Sequence, residues 1–176
     1  MRPRYLLPLL LLVLLTPIAA VFLSGCDNGP ETELLRAALR QEDGSVRYVT
    51  VCENGAVQDT DAFSPDTRCL YRTEEGAFRS TVEDRRVVNT LTSTQLLDAD
   101  GQTVPAQGPL LDALQAVAGQ VDHDILACTL AQVDGRCFAF VWINVNWQSP
   151  CVLYLAEDGS LTELARWDSV ELLGMG

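Results

Sequence analysis

The chain is 176 residues long, with 24 acidic residues, 12 basic residues that are all arginine, and a formal net charge of −12. Arg2 and Arg4 precede every acidic residue, so the rest of the chain sets 24 carboxylates against 10 arginines (12 less these two). That balance excludes sequence-independent nucleic-acid binding, which needs clustered positive charge to release counterions, and it excludes docking on anionic lipid.

In chain order the leader comes first. Met1–Tyr5 carries the two arginines, Leu6–Leu23 is an apolar run, and Ser24-Gly25-Cys26 closes it. A short positive start, an apolar core and small residues at the end are the parts of a secretory signal. Leu23-Ser24-Gly25-Cys26 resembles the lipobox of bacterial lipoproteins. The resemblance implies that residues 1–25 are a signal peptide and that a diacylglycerol is carried on the Cys26 sulfur. It implies a protein anchored by lipid to the extracytoplasmic face of the cell membrane, and it covers the leader alone. Two other readings of the same residues stay open. One is an uncleaved membrane helix, weakened by Pro8 and Pro17; the other is a conventional signal followed by an ordinary cysteine. In either membrane-bound case Arg2 and Arg4 hold the N-terminus inside, so the acidic part lies outside the cytoplasm. Residues 26–29 then form a short tether, with only about 10 Å of extended chain between Cys26 and Pro30.

Residues 30–176 are expected to form a single extracytoplasmic α+β domain: an antiparallel β-meander with one helix packed on a face and a short N-terminal helix. The N-terminal helix is expected over Pro30–Arg40. Proline suits the first helical position, Glu31 and Glu33 sit in the first turn, and Leu34, Leu35, Ala38 and Leu39 make an apolar stripe. Strands are expected over 46–52, 69–73, 77–82 and 86–97. A second helix is expected over Pro109–Gln120, where Leu110, Leu114, Val117 and Ala118 recur at helical spacing. Further strands are expected over 125–133, 136–146, 151–157 and 160–167. Six turn signals separate these segments: Asp43-Gly44, Asn54-Gly55, Glu75-Gly76, Asp100-Gly101, Asp134-Gly135 and Asp158-Gly159. Such pairs suit tight hairpins, whose central residues need positive φ.

The strand through Cys137–Val145 alternates apolar residues on both faces, so both sides must be covered along its first half. The aromatic row Phe138, Phe140 and Trp142 reads as core under a helix before it reads as a stacking platform. Asn144 and Asn146 mark where the strand meets solvent. Trp147, flanked by Asn146 and Gln148, is the expected contact with a ligand or partner.

Apart from Cys26 there are five cysteines. A two-residue Asp134-Gly135 turn sets Cys128 opposite Val141 and Cys137 opposite Gln132. Their sulfurs are then about 13 Å apart along the strand, too far for a bridge. A turn over Trp147–Pro150 sets Cys151 opposite Asn146. These three thiols read as buried apolar groups. Cys52 and Cys69 are the candidate disulfide, closing the polar loop Glu53–Arg68.

No Gly-x-Ser-x-Gly elbow, phosphate loop, His-Glu-x-x-His or EF-hand spacing is present, and neither a cofactor nor a metal is expected. His123, between Asp122 and Asp124, reads as a polar surface turn; only an exported hydrolase would use it as a general base. The expected role is a non-catalytic binding or accessory module. The alternative is a structural or inhibitory module that covers another envelope protein through an exposed strand edge. The acidic surface favours a basic or cationic envelope partner.

Overall fold

The computed structural model describes residues 32–176; the leader, Cys26 and the tether lie outside the described residues. In chain order the elements are β1 (Glu33–Gln41), β2 (Val46–Cys52), β3 (Val57–Asp59), β4 (Leu70–Thr73), β5 (Phe78–Glu83), β6 (Arg86–Leu91), β7 (Gln95–Leu97), β8 (Thr103–Pro105), α1 (Pro109–Gln120), β9 (Asp124–Val133), β10 (Arg136–Asn144), β11 (Cys151–Glu157), β12 (Ser160–Trp167) and β13 (Val170–Met175). All strand pairings are antiparallel. A seven-stranded sheet runs β12-β11-β10-β9-β4-β7-β8, a four-stranded sheet runs β13-β1-β2-β3, and β5-β6 is a separate hairpin. The domain is therefore mainly β, with helix α1 laid on one sheet.

Alternation along β10 explains the layering. Phe138 and Phe140 project into a cluster with Leu35, Leu39, Val49 and Val51 of the four-stranded sheet. Cys137, Ala139, Val141 and Ile143 project the other way, against Leu110, Ala113, Leu114 and Val117 of α1. The bulky face of β10 thus meets a second sheet, which has room for aromatic rings. Its small face meets the helix, which needs close approach. Phe138 and Phe140 are core as expected, but a sheet covers them and not a helix, while Trp142 is half-buried. Phe140 stacks on Trp167 with ring centroids 6.4 Å apart.

The expected N-terminal helix is not formed: Glu33–Gln41 is strand β1, held between β2 and β13. The register shift at Glu33/Leu35 places an extra residue, Leu34, in β1, whereas the shift at Ala38/Leu39 places its extra residue, Leu173, in β13. Each such bulge breaks the two-residue alternation. Adjacent residues Leu34 and Leu35 are therefore both buried, while in the run Ala37–Leu39 the regular alternation holds and Ala38 is buried on the face opposite Ala37 and Leu39. That spacing imitates one face of a helix. Three further strands (β3, β8 and β13) lie where none was expected. The expected strand 86–97 is divided into β6 and β7.

The Asp134-Gly135 and Asp158-Gly159 turns have both central residues at positive φ, as two-residue hairpins require. The first opposes Arg136 to Val133 and Val141 to Cys128, the register expected from the sequence. The β5-β6 hairpin is pinned by Asn89, which is buried. Its amide donates to the carbonyls of Val121 (2.7 Å) and His123 (3.0 Å), and its Oδ1 accepts from Ser80 Oγ (2.6 Å). Every polar atom of that side chain is thus satisfied where the chain leaves α1.

Candidate functional site

At the far end of β10 the backbone turns through Asn146 and Trp147. Val145 and Gln148 exchange two backbone hydrogen bonds of 3.0 Å, and the two residues between them have φ of 51° and 68°. The turn is therefore the two-residue Asn146-Trp147 and not the expected Trp147–Pro150. This tighter turn moves Cys151 from opposite Asn146 to opposite Trp142. Asparagine tolerates the left-handed region, but tryptophan does not favour it. Trp147 is 97% exposed, so no packing against the domain repays that strain. Asn146 and Gln148 are exposed beside it.

A groove of about 280 Å³ lies at the same end, lined by Gln41, Glu42, Trp142, Ser149 and Ser169 among others. Its floor is fixed. Trp142 Nε1 donates to the Val170 carbonyl at 2.8 Å, and Arg40 pairs with Glu171 at 2.7 Å. The Gln41 side-chain Nε2 is buried and has no hydrogen-bond partner. A buried donor left unsatisfied is costly, and it suits an acceptor oxygen brought from outside. The sequence singled out Trp147 but not Gln41, Glu42 or Ser169. Those residues come from the end of β1 and from the β12–β13 corner, and nothing local marks them.

A second cavity, of about 400 Å³, lies between α1 and the two Asp-Gly turns, with Asp112, Arg136, Cys137 and Glu157 in its wall. Arg136 bridges Glu53 at 3.2 Å and Glu157 at 3.9 Å, so its charge is already committed. Burial pushes the Cys137 thiol up to about 11 and raises Cys128 and Cys151 further. These sulfurs stay protonated at neutral pH and are poor nucleophiles. Burial also raises the half-buried Cys69 thiol. The Cys52–Cys69 disulfide is not formed, because Cys69 is a free thiol. Cys52 ends β2 of the four-stranded sheet, while Cys69 lies in the turn before β4, its carbonyl accepting from Gln132 N of β9.

His123 Nδ1 lies 2.7 Å from Asp122 Oδ1, on a partly exposed turn between α1 and β9. Among the described residues no group of three His, Cys, Asp or Glu side chains is placed to hold a metal ion, and no helix is long and apolar enough to cross a membrane. In comparisons with known proteins the chain matches no family model, no curated protein and no solved structure.

Proposed function

We propose that the chain is a lipoprotein anchored through Cys26, whose extracytoplasmic domain is a non-catalytic binding module that meets its partner through Trp147. The observation that carries this reading is an almost fully exposed tryptophan in a strained two-residue turn. Large aromatic side chains dominate contact energies when a partner desolvates them, and the hairpin already fixes the backbone that carries this one. The lipobox-like Leu23-Ser24-Gly25-Cys26 supports the anchor, since a lipid pair holds a protein stably at a bilayer. A partner-covering role through strand pairing is the second reading. It is favoured by β12, eight residues long at the edge of the seven-stranded sheet, where no further strand pairs with it although Leu161 N donates to Gln120 Oε1. A hydrolytic role finds no support in the neutral, buried thiols.

Two measurements test the proposal. Mass spectrometry of the mature N-terminal peptide should find a diacylglyceryl group on Cys26; an unmodified Met1 refutes the anchor. A photo-crosslinking residue placed at position 147 of the full chain in intact cells should capture a partner, and the same residue at position 158 should not. No product from position 147, or equal products from both, refutes the contact.

A further inference from the structure

We infer that the Trp147 end of the domain is a docking surface for a basic, extended polypeptide segment. The inference rests on the binding-module reading and names the chemistry of its partner.

The last rungs of both sheets lie together at this end. Arg40 pairs with Val46, Gln41 with Val170, Trp142 with Cys151 and Asn144 with Asp124. Gln41 and Trp142 share the groove, so these ends of the four-stranded and seven-stranded sheets coincide. Among the described residues, three of the five large exposed apolar side chains sit here: Trp147, Leu126 at 48% and Val46 at 39%. Leu126 is exposed because β9 shifts register there, between the Trp142 and Ile143 pairings.

The charge of this end is one-sided. On the two sheets at this end Arg40 is occupied by Glu171 at 2.7 Å, Arg47 by Asp59 at 2.6 Å and Arg166 by Glu163 at 3.0 Å; Arg79, Arg85 and Arg86 belong to the separate β5-β6 hairpin, which meets β9 beside Asp124. Around the groove, Glu42, Asp43 and Asp168 stand in no ion pair among the described residues. An incoming guanidinium or ammonium finds uncompensated carboxylates and an open indole face, the arrangement that cation–π attraction needs. An incoming backbone carbonyl would satisfy the orphaned Gln41 amide. Anionic partners are repelled, while a neutral sugar would leave the carboxylates without partners.

The chain enters the domain at the opposite end. The Thr32 carbonyl accepts from Glu53 N, and Glu53 bridges Arg136 beside the Asp134-Gly135 turn. The nine residues of β10 separate the two ends by about 30 Å.

The test uses the full chain in phosphatidylcholine nanodiscs and a fluorescein-labelled peptide of alternating arginine and serine, read by anisotropy. Binding should weaken at least about tenfold between roughly 50 and 300 mM salt. Trp147→Ala and the double variant Glu42→Gln/Asp168→Asn should each weaken it by about tenfold. Asp158→Asn, at the other end, should leave it unchanged. No binding of the arginine peptide overturns the inference, as does binding indifferent to Trp147→Ala. Trp147-dependent binding of chitohexaose, or Trp147-dependent self-association, with none of the basic peptide, overturns the basic segment yet leaves Trp147 as the contact. Loss of position-147 crosslinks in cells would instead sink the reading on which the inference rests.

Discussion

Replacing Trp147 by glycine should make the protein more stable, although it deletes the largest side chain available. Trp147 has φ of 68° and is 97% exposed. Holding a non-glycine residue in the left-handed region costs roughly 1–2 kcal/mol. Glycine removes that strain but adds roughly 0.5–1 kcal/mol of chain entropy to the unfolded state. Truncation loses almost no buried area, so the balance is a gain of about 0.5–1 kcal/mol. For a domain of this size that raises Tm by about 2–4 °C per kcal/mol. Alanine keeps the strain and should be within about 0.5 kcal/mol of the parent. Urea denaturation of the parent, Trp147→Gly and Trp147→Ala separates the terms. A glycine variant no more stable than the alanine variant would refute the reasoning, because backbone strain would then not distinguish them.

Three other outcomes rest on the packing and its ionisable groups. Gly174 has no room for a side chain: a Cβ there would lie 2.7 Å from Pro65 Cβ and 2.9 Å from the Asp66 carbonyl. Gly174→Ala should destabilise by about 1–3 kcal/mol in the same denaturation assay. The Asp66 carboxyl is held down at about 2, chiefly by the Arg68 side chain and then by the Arg68 backbone N–H. Its folded value lies below the unfolded one, so its contribution is present above about pH 4 and lost as pH falls towards about 2. Arg68→Ala should flatten the stability profile in that window. Burial raises the Cys137 thiol to about 11, so its contribution is intact below the unfolded value of about 8.5 and lost as pH rises through about 11. Cys137→Ala should reduce the loss of urea resistance between about pH 8 and pH 11.

Local periodicity decides which elements are legible in the chain alone. Helix α1 spans Pro109–Gln120 as expected, because its apolar residues keep one unbroken helical period. β2, β11 and β12 have the expected bounds, and the β9–β10 register comes from one turn. β1 reads as a helix because its bulge at Leu34 and the burial of both its faces over Ala37–Leu39 put neighbouring apolar residues on buried sites. β13 carries no hairpin signal: it leaves one sheet at the Asp168-Ser169 corner and pairs with β1, far away in sequence. With β1 read as helix, the four-stranded layer has no centre, and the aromatic face of β10 is left with a helix as its only available cover. Trp147 stands out by its polar neighbours. The groove beside it does not, because β1, β10 and β13 meet there only after both sheets form.

β10 lends Phe138 and Phe140 to one apolar cluster and Ala139, Val141 and Ile143 to the other. The two cores therefore share a common wall, and neither can be opened while the other stays sealed. Calorimetry should accordingly record one melting event for the described domain, with the helix and the outer sheet dissolving together.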